Sequence, residues 1–404
     1  MGEILEIYLD HAATAPLDPR VKEAMLPYLG KEFGNPSSLH ATGRRAKQAI
    51  DEARESIAKI LGCRAEEIVF TGGGTEADNL AILGIYRAYK EKGNRLIASA
   101  IEHHAVLRPI EHLAKKEGAD AFFVKVDREG LVDPEKIAAA IDEKTLLISI
   151  MYANNEIGTI EPIVEIGRAI AQWKKEHGRK MNDAPFFHTD ACQAAGALPL
   201  EVGKLGADLM TINGSKIYGP KGVGFLYIRS GIRLEPLIWG GGQEWGLRSG
   251  TENVAAIVGL AKALELAEAE KKKENARLTI LRDKLIVGFS AIPKTRLNGH
   301  PTLRLPNNAN VSILDIEGEA MVLYLDEAGF RVSTGSACTS ANLEPSHVIR
   351  ALGLPYEAAH GSLRVTLGRG TTEQDIGKLL AVLPPIVEKL RQLSPVRLNM
   401  KHYA

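Results

Sequence analysis

Phe186–Gln193, read FFHTDACQ, and Asn213–Gly224, read NGSKIYGPKGVG, decide how this 404-residue chain is understood. The first is an apolar run that ends in an acid, Asp190. The second places Lys216 in a tight Gly-rich connection between two short apolar segments, ADLMTI (207–212) and GVGFLYI (222–228). A connection of that kind between two strands holds a side chain rigidly. Working outward, EEIVFTGG (66–73), RLIASAIE (95–102), AFFVKVD (121–127) and TLLISIMYAN (145–154) repeat the pattern, each separated from the next by a helical stretch. Such alternation predicts an α/β domain with a mostly parallel central sheet flanked by helices.

The helices carry their own punctuation. SSLHATGRRAKQAIDEARESIAKILG ends at Gly62, and DPEKIAAAIDE opens with Asp133 as N-cap and Pro134 at the first helical position. After GTENVAAIVGLAKALELAEA the character changes to a Lys/Glu-rich stretch, read as one long exposed helix that leads into a second unit. That unit holds NVSILDI, a helix from about Glu319, the RVSTGSACTS segment, SLRVTL and a closing helix. Its strand-then-helix pattern predicts a smaller α+β domain. Residues 16–265 are assigned to the large domain, and 1–15 with 266–404 to the small one.

Composition narrows the function. Fifty Lys plus Arg balance fifty Asp plus Glu, so no net field draws the chain to nucleic acid or an anionic membrane. Three distant cysteines, Cys63, Cys192 and Cys338, give neither a disulfide framework nor zinc-ligand spacing. No run approaches the roughly 18 apolar residues of a membrane span. These features predict a cytoplasmic protein acting on a small or neutral-carrier substrate.

Several polar residues stand at strand ends, where ligands bind in open α/β sheets. TGGGTEADN (71–79) follows one strand and opens a helix whose free NH groups suit a phosphate, and Thr75 with Asp78 matches a capping pattern. The alternative is a plain Gly-rich turn; the spacing excludes a nucleotide P-loop. His103 and His104 follow RLIASA, and as neighbours at a strand end they are expected to point in opposite directions. Asn155 follows TLLISIM, and its amide suits a phenolic oxygen or a carboxylate. With Asp190 and Lys216 these residues share one sheet edge. A carboxylate and an amine in one site suit pyridoxal phosphate (PLP), which needs an amine to form a Schiff base and an acid to keep its pyridine nitrogen protonated. Cys338, set among Ser, Thr, Gly and Ala, is read as an exposed loop thiol suited to attack and carry; Cys63 and Cys192 read as structural.

Taken in order, YLDHAATAPLDPRV, FGNPSSLH, TGGGTEADN, EHHAV, NNEIG, TDACQAAG, SKIYGPKGVG, RSGTEN, STGSACTSANLEPS and SLRVTLGR span nearly the whole chain. This series resembles the NifS/IscS-type cysteine desulfurases, in the class V aminotransferase group of fold-type I PLP enzymes. The resemblance implies Lys216 as the Schiff-base lysine, Asp190 as partner of the pyridine nitrogen and His103 stacked on the ring, assisting proton transfer. Asn155 and Gln193 would bond the ring's oxygen side. Gly74, Thr75, Asn213 and Ser215 would bind the phosphate with Thr251 of a neighbouring subunit, which implies a homodimer. Arg364, with Asn155, would hold the substrate carboxylate. Cys338 would take sulfur from L-cysteine as a persulfide, leaving L-alanine, and pass it to a sulfur acceptor such as an iron-sulfur scaffold or a tRNA-thiolation enzyme. No resident metal is implied; transient ligation of an iron-sulfur cluster by Cys338 during transfer is the one exception. Selenocysteine lyase, another PLP aminotransferase-fold enzyme and a non-catalytic sulfur-relay subunit are the alternatives. The chain departs from its relatives beside the lysine: they usually have His immediately before it and often Ser three before, where this chain has Ser215 and Asn213.

Overall fold

The computed structural model describes residues 6–335, 345–395 and 397–398. Cys338 lies outside them.

Seven strands form the large sheet, in the spatial order Ile68–Thr71, Gly224–Ile228, Leu209–Asn213, Phe186–Asp190, Thr145–Ser149, Arg95–Ser99, Asp120–Val124. All run parallel except Gly224–Ile228, which is antiparallel to both neighbours. Helices cover both faces, so side chains of either parity along a strand must be apolar. Ile68 and Phe70 enter one hydrophobic core while Val69 enters the other; Phe187 and Phe186 divide in the same way. This explains why these strands read as continuous apolar runs rather than as alternating ones.

Helix Ala41–Leu61 presents Ala46, Ala49, Ile50, Ala53, Ile57 and Leu61 to the first core at helical spacing. It stops at Gly62, whose left-handed φ of 67° lets its N–H reach the Ala58 carbonyl. Asp133 caps the helix from Pro134 by accepting from Glu135 N, as expected.

The change of character after the GTENVAA segment does not end the helix. Val254–Ser290 is one helix of 37 residues. Its first turns bury Val254, Ile257, Leu260 and Leu264 in the large core, and its last turns bury Leu281, Leu285 and Phe289 in a second core. No glycine, proline or cap interrupts the polar interval between them, so the change in composition marks a change of surroundings.

The second core belongs to an antiparallel sheet of Ser362–Thr366, Asn308–Ile313 and Thr295–Asn298, with helices Gly318–Glu327 and Glu373–Leu393 against it. The N-terminal strand Ile7–Tyr8 pairs in parallel with Phe330–Arg331, and a bridge from Asp10 to Thr366 carries the chain onto the edge of the antiparallel sheet. Ile7 and Leu9 are buried in this core. The N-terminus thereby threads between the two sheets, which matters for the site.

Candidate active site

Five strands, Ile68–Thr71, Leu209–Asn213, Phe186–Asp190, Thr145–Ser149 and Arg95–Ser99, run in one direction, so their C-terminal ends open onto one edge. A cavity of about 330 Å³ lies there. Gly74, Thr75, His103, Asn155, Asp190, Gln193, Asn213 and Lys216 line it from the large sheet, and Arg364 lines it from the small one. Nine sequence-derived site residues therefore meet in one place. Ser215 is not in its wall; its hydroxyl donates to Asn213 Oδ1 at 3.4 Å. Thr251 is exposed, away from the cavity.

Lys216 closes a one-turn 3₁₀ segment, Gly214–Lys216, that follows strand Leu209–Asn213 directly. A Cβ on Gly214 would come within 2.7 Å of the Pro220 carbonyl, so only glycine allows this turn to close. Lys216 Nζ donates to the Ala13 carbonyl at 2.5 Å. Gln193 Nε2 donates to the adjacent Ala12 carbonyl at 3.0 Å. Asp190 is buried, and its Oδ1 accepts from Cys192 N at 2.9 Å.

The capping pattern read at Thr75 is not used. Helix Gly74–Tyr89 begins two residues earlier than that cap would give, with Gly73 at its N-cap, φ 141°, and no side-chain cap. No side chain caps the first NH groups of this helix, and its first two residues, Gly74 and Thr75, line the cavity. Asp78 turns inward instead: it is 1 % exposed, and its Oδ1 lies 3.6 Å from His188 Nε2.

His103 and His104 also depart from expectation. His103 caps helix His104–Lys116, its Nδ1 accepting from Ala105 N at 3.1 Å, and His104 is the first helical residue. Both line the cavity, their ring centroids 6.4 Å apart. A helix starting here keeps the two side chains on adjoining faces, which strand geometry would not. Burial, aided by the Lys216 charge and opposed by Asp190, holds the His103 pKa below the usual imidazole value. With Nδ1 committed as acceptor, the neutral ring carries its proton on Nε2.

Beyond the residues found by sequence reasoning lie several it missed. His347 lines the cavity, packs its ring at a tilt against that of His104 with centroids 4.6 Å apart, and binds the Glu102 carbonyl at 2.9 Å; burial lowers its pKa to about 4. Glu102 is fully buried, its Oε1 accepting from Ser99 Oγ and Met151 N, and burial pushes its pKa up to about 8. Glu156 lines the cavity, and burial raises it to about 7 against the opposing effects of Ser346 and Arg364. Asp78 is raised well above the carboxylate range by burial first and the Asp190 charge second. Glu102 and Asp78 stood inside quoted motifs, but nothing in a linear string marks a carboxyl as buried. Ala12 and Ala13 act through backbone carbonyls, which no side-chain motif reveals.

A family model described as aminotransferase class-V matches residues 7–379. The chain belongs to the aminotransferase class-V family. Among members of known name, a cysteine desulfurase IscS of Dictyoglomus turgidum is 51 % identical over 397 residues, covering 98 % of each chain. A cysteine desulfurase IscS of Methanosarcina thermophila is 50 % identical over 390 residues, 96 % of this chain and 94 % of that one. Among solved structures, a NifS-like protein superposes with a TM-score of 0.88 at 35 % identity, over 96 % of this chain and all of that one. The class-V fold, a mostly parallel sheet between helices, is therefore the one expected from sequence. Among the described residues no helix is long and apolar enough to cross a membrane, and no group of three or more His, Cys, Asp or Glu could hold a metal ion.

Proposed function

We propose that this class-V aminotransferase homologue is a PLP-dependent cysteine desulfurase that moves sulfur from L-cysteine to Cys338. The observation that carries the reading is the convergence of Lys216, Asp190, His103 and Arg364 in one cavity, in a chain about half identical to named cysteine desulfurases along nearly its whole length.

The donor set fits PLP. An uncapped helix N-terminus at Gly74 and the Asn213 amide suit the phosphate, and a Cβ on Gly74 would already press on Cys192 Sγ at 3.0 Å and Asn213 Nδ2 at 3.1 Å. Lys216 would hold the cofactor covalently, Asp190 would face its ring nitrogen, His103 would cover the ring, and Asn155 and Gln193 would face its oxygen side. Thr75 and a neighbouring subunit's Thr251 complete the proposed phosphate set, with Ser215, outside the cavity wall, acting on it through its hydrogen bond to Asn213 Oδ1. When bound, PLP supplies an electron-accepting ring that stabilises negative charge at the substrate's Cα.

Arg364 and Asn155 orient the substrate through its carboxylate, and Lys216 takes the Cα proton. The Cys338 thiolate then attacks the substrate sulfur: an S–S bond forms, the Cβ–S bond breaks, and the remaining three-carbon unit gains protons to leave as L-alanine. Cysteine and an enzyme thiol thus become alanine and a persulfide, with no external oxidant. The persulfide passes to a sulfur-acceptor protein, such as an iron-sulfur scaffold.

Phe33, Leu39, Trp239 and Trp245, 79 %, 90 %, 73 % and 55 % exposed, support a homodimer, because large apolar side chains in that state call for a covering surface. Free thiols at Cys63 and Cys192 agree with a cytoplasmic setting. We assign 16–265 to one domain and 1–15 with 266–404 to the other, a division that falls within the helix Val254–Ser290. The test is to incubate PLP-loaded protein with L-cysteine, quantify alanine and map the persulfide by mass spectrometry; absence of both products refutes the reading.

A further inference from the structure

The N-terminal segment Tyr8–Ala15 reaches several parts of the site at once. Its Asp10 pairs by a bridge with Thr366, two residues beyond Arg364 on the same strand, and alternate residues of a strand share a face. Thr366 Oγ1 accepts from Ala12 N at 2.9 Å, and the Tyr8 hydroxyl donates back to the Asp10 and Thr14 carbonyls at 3.0 and 2.8 Å. The segment is thereby braced against the strand that carries Arg364. Across this junction Arg364 Nη2 donates to Asp10 Oδ1 at 2.8 Å, and Nη1 donates to the Asn155 carbonyl at 3.1 Å. The Arg364 side chain is 3 % exposed and that of Asp10 18 %. Arg364 Nε is buried with no hydrogen-bond partner among the described residues.

Two things follow from this geometry. A guanidinium so deeply buried needs a fixed anion, and Asp10 supplies it while setting the plane of the fork. A substrate carboxylate arriving at the same guanidinium meets a carboxylate already there, and the two repel. We propose that Asp10 is a positioning residue that orients Arg364 and competes with the substrate's carboxylate for it, keeping the carboxylate exchangeable so that the amino-acid product leaves. The proposal rests on the reading of Arg364 as the carboxylate clamp.

Charge and geometry separate in two variants. Asp10→Asn keeps an oxygen to accept from Nη2 but removes the competing charge; Asp10→Ala removes both. Propionate serves as the probe, because it has a carboxylate and no amine and so reports on the clamp without Lys216. Calorimetric titration of PLP-loaded protein is expected to show propionate binding about three- to tenfold tighter in Asp10→Asn. The KM for L-cysteine falls with it, and inhibition by L-alanine strengthens. Asp10→Ala binds propionate more weakly than the wild type, and should that variant not fold, Asp10→Asn alone decides. Propionate affinity in Asp10→Asn equal to or below the wild type overturns the competition. Arg364→Lys, titrated in parallel, tests the clamp itself: unchanged propionate binding there overturns the Arg364 assignment instead.

Discussion

Ser346 and Glu156 stand 190 residues apart, yet Ser346 Oγ donates to Glu156 Oε2 at 2.5 Å. Ser346 also caps the short helix His347–Ala351, accepting from Val348 N and Ile349 N. On the other side of Cys338 in sequence, Gly335 approaches the same carboxyl so closely that a Cβ there would sit 3.0 Å from Oε2. Glu156 is in turn held through its backbone carbonyl by Asn308 and Asn310 at 3.2 and 3.0 Å. One buried side chain of the NNEIG motif therefore meets both described flanks of the segment that carries Cys338, the proposed sulfur acceptor.

Ser346→Ala removes the cap and strands a buried carboxyl oxygen. It is expected to cost about 1–3 kcal/mol of stability and to slow persulfide formation on Cys338 while leaving PLP absorption unchanged. Denaturant melts and single-turnover persulfide mapping check both halves; a native persulfide rate in a destabilised protein would confine Ser346 to a structural role.

Lys216→Ala is expected to lose covalent capture of PLP. Borohydride treatment followed by mass spectrometry should tag the wild type at Lys216 and leave the variant untagged. Retention of normal alanine production would show that the amine at position 216 is not the one used.

Cys338→Ala should bind PLP and change its absorption on addition of L-cysteine, yet form no persulfide. Sulfide released from that variant at the wild-type rate would sink the assignment of Cys338 as acceptor.

Glu102 gives a prediction in pH. Its folded pKa, about 8, is above the ordinary value of 4.5, so between those values the unfolded chain has released a proton that the folded chain retains. Stability contributed by this group is complete below about 4.5 and is lost as pH rises toward 8. Oε1 accepts two hydrogen bonds, a role an amide oxygen can keep while the buried charge is removed. Glu102→Gln should match the wild type at pH 5 and exceed it at pH 8, by an amount on the order of a few kcal/mol, as measured in urea melts. Parallel loss in both proteins across that range would refute it.

His347 and His188 work in the opposite sense. Both are held near 4, below the usual 6.5, by burial. Their unfolded forms bind protons that the folded forms refuse, so stability falls as pH drops from about 6.5 toward 4. His188→Gln should flatten that acid limb in melts between pH 4 and 7; an unchanged limb would assign it to other groups.

The strands, the helix stop at Gly62 and the Asp133 cap were legible because each depends on neighbours in sequence: apolar runs, a left-handed glycine, a short side chain before a proline. Of the nine cavity residues, the glycine turn with Thr75, His103, Asn155, Asp190 and Lys216 were legible as polar or glycine types at strand ends, while Gln193, Asn213 and Arg364 were reached only through the family resemblance. Where local rules were applied beyond their reach they failed. Thr75 was read as a cap, but the helix begins at Gly74 and Asp78 is drawn into the sheet toward His188. The Lys/Glu-rich interval was read as an exposed helix leading into a second unit; it is the middle of a helix, Val254–Ser290, that enters both cores.

By itself the sequence determined the fold class and the residue types available to the cavity, because periodicity and residue type are properties of the string. Only the tertiary structure decided which carboxyls are buried, that Ala12 and Ala13 offer their carbonyls to Gln193 and Lys216, and that Asp10 faces Arg364. Those facts depend on contacts between residues as much as 354 positions apart. Burial and long-range hydrogen bonding arise only when the two sheets and the N-terminal segment pack together, and they set charge and orientation in the site.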